Sequence, residues 1–138
     1  MNSKETLQIY YDYLVSQILD NDFLYVCGSS ELASEQSPVR YYGICSNYFQ
    51  LCKNLRVKLG TPQNQAIFQK LLSFKPADLH QTAGYVSAVL EYDATYHDQL
   101  KEHILTLKKN IWNVKDNAFA LPQILIALIK FLKALINS

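Results

Sequence analysis

Turn-forming residues are scarce in this chain. Four Gly and four Pro serve 138 residues. So few tight turns argue against a many-stranded sheet and in favour of long helices. Cysteine is sparse too. Cys27, Cys45 and Cys52 form an odd set without metal-ligand spacing, which reads as reduced thiols in a cytoplasmic protein rather than a disulfide framework. The chain has no phosphate-binding Gly-rich loop, no His-Glu-X-X-His, no paired-Cys metal motif and no Gly-X-Ser-X-Gly. A non-catalytic protein without cofactor or metal is therefore expected, and an enzyme or metal protein of unrecognised type ranks third among the functional readings. The start, Met1 to Thr6, is polar, so no secretory leader is expected.

What is present suffices for a core. Hydrophobic residues make up 49% of the chain, which predicts one helical domain over residues 1–138 rather than a disordered segment. Helical periodicity recurs along it. Leu7, Tyr10, Tyr11, Leu14 and Ile18 mark a first helix after Ser3 as N-cap. Phe23 to Cys27 is a short apolar run that periodicity leaves open between helix and strand; a helical turn is preferred because no second strand signal accompanies it. Gly28 to Val39 reads as a loop. Arg40 to Leu59 reads as a long helix ending at Gly60, with Cys45 and Cys52 on one buried face. Thr61-Pro62 is the clearest start signal, a cap followed by Pro at the first helical position. Ala77 to Tyr92 and a segment reaching Val114 follow, the latter starting at Asp93 or Thr95.

The last stretch, Leu121 to Ser138, holds ten Leu, Ile or Phe, and its only charges are Lys130 and Lys133. Such a helix needs burial, a partner or a membrane surface. As an apolar stretch of about sixteen residues with two Lys near its end, it falls short of the roughly 20 that a span requires. The expected fold is thus all-α, a compact bundle of about six helices around a buried C-terminal helix. Leu125, Leu128, Ile129, Leu132, Leu135 and Ile136 should face other helices of this chain or a second copy, and Gln123, Ala127, Lys130, Ala134 and Asn137 form the least apolar face. The small Ala127 leaves room for a second copy to pair through residues 121–138.

Charge is blocked along the chain. Residues 36–77 carry six bases and no acid, between acidic segments on either side. The ordinary meaning is pairing between oppositely charged neighbouring helices; the sharper one is a docking face for an anionic partner. Arg40, Tyr41, Tyr42, Tyr48, Lys53, Arg56 and Lys58, with Phe49, interleave cations and aromatics there. That mixture suits either an acidic protein surface or single-stranded nucleic acid. A net charge of only +1 favours the protein partner.

Other motifs are weaker. Asp93 and His97 have helical ligand spacing, with His80 as the only obvious third donor. Leu79 to Ser87 has a faint helix-turn-helix look with Gly84 at the turn, but the helix after it carries Glu91 and Asp93 and no base, which is wrong for phosphates. Cys45 reads as a buried apolar-face residue rather than a nucleophile. Gly43-Ile44-Cys45-Ser46-Asn47 resembles a signature of small, uncharacterised bacteriophage accessory proteins. The resemblance covers five residues. It brings no activity with it, but implies an accessory protein that binds and inhibits or modulates a host target. The leading expectation is accordingly a non-catalytic interaction module, and the runner-up a small nucleic-acid-binding protein that uses the Arg40–Lys58 helix.

Overall fold

The computed structural model describes residues 2–19 and 39–138; the side chains of residues 17, 19 and 39–41 also lie outside it. The last residue of the expected loop, Val39, already begins a helix, whereas the Phe23–Cys27 run and residues 28–38 of that loop fall outside the described residues. Those residues form an all-α bundle without a strand: α1 (Ser3–Leu19), α2 (Val39–Asn54), α3 (Pro62–Leu72), α4 (Leu79–Tyr92), α5 (Lys101–Asn110) and α6 (Ala120–Ile136). Two 3-10 segments, Ala94–Leu100 and Ile111–Val114, flank α5. Among the described residues no helix is long and apolar enough to cross a membrane.

Local chemistry sets the helix ends. Asn2, not Ser3, caps α1: its Oδ1 accepts from Glu5 N at 2.8 Å, and the Glu5 carboxylate reaches back to Asn2 N at 3.4 Å. This is a capping box, in which two orphan donors are satisfied reciprocally. Thr61 caps α3 as its sequence requires, accepting from Asn64 N at 3.3 Å, with Pro62 in the first turn. Asp78 caps α4 and Asn117 the start of α6, the latter accepting from Phe119 N and Ala120 N, both at 2.9 Å. Asp93 ends α4 and starts the next segment, its Oδ1 accepting from Thr95 N at 3.0 Å.

The second helix stops at Asn54, short of the expected Leu59. Arg56 adopts the left-handed conformation, φ 59°. Arg56 N donates to Lys53 O and Val57 N to Cys52 O, at 3.2 and 2.8 Å. That pair of bonds is the Schellman closure, normally made by Gly. Arg56 was not legible as a stop because its side chain disfavours the conformation it adopts.

The central helix is α4 rather than α6. Every residue from Thr82 to Leu90 is buried except the half-buried Gly84. α2 and α6 pack against it most extensively. Gly84 does not turn the chain, so the helix-turn-helix reading fails; α4 runs unbroken through it. Its role is close approach: a Cβ there would lie 3.1 Å from Tyr42 Cδ2 and 3.2 Å from Tyr42 Cβ. Aromatic rings extend the core outward. Tyr11 stacks on Tyr48, Tyr92 meets Phe49 at 4.9 Å and stacks on Phe68 at 4.0 Å, and Phe68 meets Tyr96 edge-on. These contacts tie α1, α2, α3 and α4 together.

The last helix is apolar on both faces, and Ala127 and Ala134 of the stripe expected to be its least apolar face turn inward. Ala120, Ile124, Ala127, Phe131 and Ala134 are buried. Leu125, Ile129, Leu132, Leu135 and Ile136 are exposed, and Leu128 is half-buried. The small side chains of Ala120, Ala127 and Ala134 allow α6 to lie close along α4, with which it packs extensively. Packing space, rather than apolar bulk, selected the seam.

One buried polar network joins α2 to α3. The Tyr48 hydroxyl donates to Asn64 Oδ1, and Asn64 Nδ2 donates to Lys58 O at 3.1 Å. Burial raises the Tyr48 pKa, so its proton stays in place for this bond. Asn64→Ala should cost about 2 kcal/mol, because it leaves buried partners unsatisfied. Adding Tyr48→Phe to that variant should cost little more, since the orphaned hydroxyl is gone; urea titration of the single and double variants checks both values. Arg56→Gly should act in the opposite direction, raising stability by up to about 1 kcal/mol through relief of the left-handed side-chain clash. A lower melting temperature in Arg56→Gly would show that the Arg56 side chain contributes contacts that outweigh that relief.

Candidate functional site

Three aromatics of the basic and aromatic face read from the sequence turn into the core. Tyr42, Tyr48 and Phe49 are 0% exposed. Tyr42 packs edge-on against Tyr85 and Phe74, and Tyr48 is committed to Asn64. None of the three can stack on a base or enter a partner's pocket. Interleaved aromatics on a helix that packs on two sides belong to the core, and their spacing with the bases reflects the helix's two faces. Arg40 and Tyr41 begin α2, but their side chains lie outside the described residues. Lys53, Arg56 and Lys58 are exposed. Lys53 is already engaged: its ammonium donates to Glu91 O and lies 3.5 Å from Glu91 Oε2.

Other sequence candidates disperse as well. Cys45 and Cys52 are both buried on the inner face of α2, as their spacing implied. Burial pushes the Cys52 thiol up, away from thiolate chemistry. Asp93 is a cap, and His97 Nδ1 sits 3.3 Å from Asp98 Oδ1. Among the described residues no three His, Cys, Asp or Glu side chains gather as a metal cluster.

Two features not foreseen from the sequence emerge instead. The first is a cleft of about 570 Å³ where α2, α4 and α6 diverge. Gly43, Ser46, Asn47 and Gln50 line it from α2. His80, Ser87 and Glu91 line it from α4, and Gln123, Ile126 and Lys130 from α6. Lys130, expected on the least apolar stripe of the last helix, is half-buried at the cleft wall, 26% exposed. Its ammonium contacts are all long: Ser87 O at 3.3 Å, Ser46 Oγ at 3.4 Å and Glu91 Oε2 at 4.0 Å. Burial lowers its pKa; Glu91 opposes the shift and Lys53 adds to it. Gly43 sits inside α2 with nothing within 4 Å of where a Cβ would stand. Three residues of the Gly43–Asn47 pentad therefore face the cleft, while Cys45 is in the core.

The second feature is the outer surface of α6. Leu125, Ile129, Leu132 and Ile136 repeat at four, three and four residues, the spacing of a helix-pairing seam. They are between 42% and 79% exposed. Beside them an apolar groove of about 330 Å³ runs between α5 and α6, walled by Ile104, Leu105, Phe131 and Leu135 and edged by Lys101 and Lys108. The doubled seam was visible in the sequence, but which copy would remain uncovered was not. Comparison of the chain with protein-family models, with curated proteins and with solved structures finds no match.

Gly43 and Lys130 both cost stability without structural return. Gly43→Ala should stabilise by up to about 1 kcal/mol, because the helix gains propensity and the methyl meets nothing. Lys130→Met should leave stability unchanged or slightly higher, since the ammonium is desolvated without a close partner. The pH dependence has a defined sign. A lysine with a depressed folded-state pKa weakens folding while it is charged in both states, and that penalty is relieved as pH rises from the depressed value to the ordinary 10.5. Buried tyrosines, whose pKa values are raised by burial, oppose folding above pH 10 in both proteins. The difference between wild type and Lys130→Met should therefore shift toward wild type across that alkaline window, as measured by urea titration at each pH.

Proposed function

We propose that this chain is a non-catalytic helical interaction module acting in the cytoplasm, an accessory protein that modulates a protein target by docking on the outer face of α6. The partner is an amphipathic helix with acidic flanks. The supporting observation is the uncovered seam Leu125–Ile129–Leu132–Ile136. Soluble monomers rarely expose so continuous an apolar stripe unless something covers it, and three-four spacing is the pattern that a partner helix reads. Charge supports the acidic flanks. Lys108 edges the adjoining groove beside Lys101, itself paired with Asp98 at 3.2 Å, and Lys133 is exposed on α6, while residues 101–138 hold two acids, Glu102 and Asp116, against six lysines. A second copy would set lysines against lysines. The phage-type part of the reading rests on the Gly43–Asn47 pentad alone. The nucleic-acid alternative is weakened by the burial of three of its four aromatics, Tyr42, Tyr48 and Phe49.

The test uses a designed amphipathic helical peptide with a Leu/Ile seam, in one form flanked by Glu and in another by Lys. Fluorescence anisotropy should show binding of the Glu form and little of the Lys form. Ile129→Asp and Leu132→Asp should abolish binding with melting unchanged, because both positions are more than half exposed. Equal binding of the two peptides, or none, rejects the docking partner. Light scattering that finds a dimer dissolved by Ile129→Asp rejects it in favour of a second copy.

A further inference from the structure

Two residues on the cleft wall are ones that the fold itself does not need. A glycine within a helix costs roughly 1 kcal/mol relative to alanine. Gly84 repays this by admitting Tyr42, whereas Gly43 has empty space where its side chain would be. Packing explains one glycine and leaves the other unexplained. Lys130 presents the same pattern in charge. An ammonium held away from water normally makes short hydrogen bonds, but its three contacts lie at 3.3, 3.4 and 4.0 Å. Violations of local rules collected at one concavity are the signature of a binding site, where stability is traded for function.

The electrostatics select the ligand. Among the described residues Glu91 is the only carboxylate lining the cleft, and two ammonium groups flank it, Lys53 at 3.5 Å and Lys130 at 4.0 Å. The local balance is therefore positive. Lys53 is tied down by a second bond to the Glu91 carbonyl, so Lys130 is the cation left to take a new partner. A neutral hydroxyl stands near it in Ser46, and Gln123 lines the cleft from the same helix as Lys130. A volume of about 570 Å³ falls within the range of small-molecule sites, on the order of 300–1,000 Å³.

We propose that the cleft between α2, α4 and α6 binds a small molecule carrying an oxyanion, a phosphate or a carboxylate. The anionic group sits on the Lys130 ammonium beside Ser46, and the body of the ligand fills the space left open by Gly43. This site lies apart from the exposed seam of α6 and does not depend on partner docking there.

Titration of ¹⁵N-labelled protein with inorganic phosphate and, separately, with succinate tests the proposal, with ionic strength held constant by sodium chloride. The amides of Gly43, Ser46 and Ser87 should shift saturably with at least one of the two, with a Kd of about 1 mM or tighter; which one saturates identifies the anion. Lys130→Met should weaken binding at least about tenfold, the loss of one charge-assisted contact. Gly43→Leu should block it through bulk alone with the charges untouched, while Lys108→Met, outside the cleft, should leave it unchanged. The proposal fails if neither anion gives saturation, if sodium chloride alone reproduces the shifts, or if Lys130→Met and Gly43→Leu bind as wild type does.

Discussion

Gly84 lets Tyr42 pack where a side chain would otherwise stand, and much else follows from that contact. With no side chain at Gly84, α2 can settle on α4 until the Tyr42 ring rests on the backbone. That separation brings Lys53 within reach of Glu91 and holds the Phe49 and Tyr92 rings in contact. It also sets the width of the cleft, because Gly43 follows Tyr42 on α2 and Ser87 and Glu91 follow Gly84 on α4. The same contact thus closes the core on one side and leaves it open on the other. α6 then completes the cleft through its thin seam of alanines, which places Lys130 at the wall rather than in solvent.

The legible parts of the fold were those governed by neighbours in sequence. Thr61-Pro62 capped a helix where it should, because cap and first turn need only four consecutive residues. The seven-residue step between Cys45 and Cys52 placed both thiols on one buried face, since helical phase is local. Two things required information that the chain does not carry locally. The stop at Arg56 depends on a left-handed conformation that the residue type disfavours. The orientation of α6 depends on how much room α4 leaves, and a stripe of alanines reads as weak until its partner surface is known.

The aromatics of the expected binding face turned inward for a related reason. Tyrosine is amphipathic, so Tyr42 and Tyr48 fit a surface platform and a polar core equally well by composition. Asn64 decides the case for Tyr48: a buried carboxamide sixteen positions away supplies the acceptor that a core tyrosine needs. The cleft was illegible for the same reason of distance. Ser46 and Lys130 stand 84 residues apart in sequence, and no spacing rule connects them. What the sequence did carry was the anomaly of a glycine inside an otherwise regular helix.

The two thiols of α2 also make the protein its own chronometer. Cys45 and Cys52 are fully enclosed, so a thiol-specific reagent can label them only in molecules where α2 has lifted from α4. Their positions straddle the middle of that helix, one near Gly43 at the cleft and the other beside Tyr48 and Asn64. Comparing their labelling rates would therefore separate fraying at the cleft end from cooperative release of the whole helix. Native-state opening could be timed residue by residue, without introducing a single foreign probe.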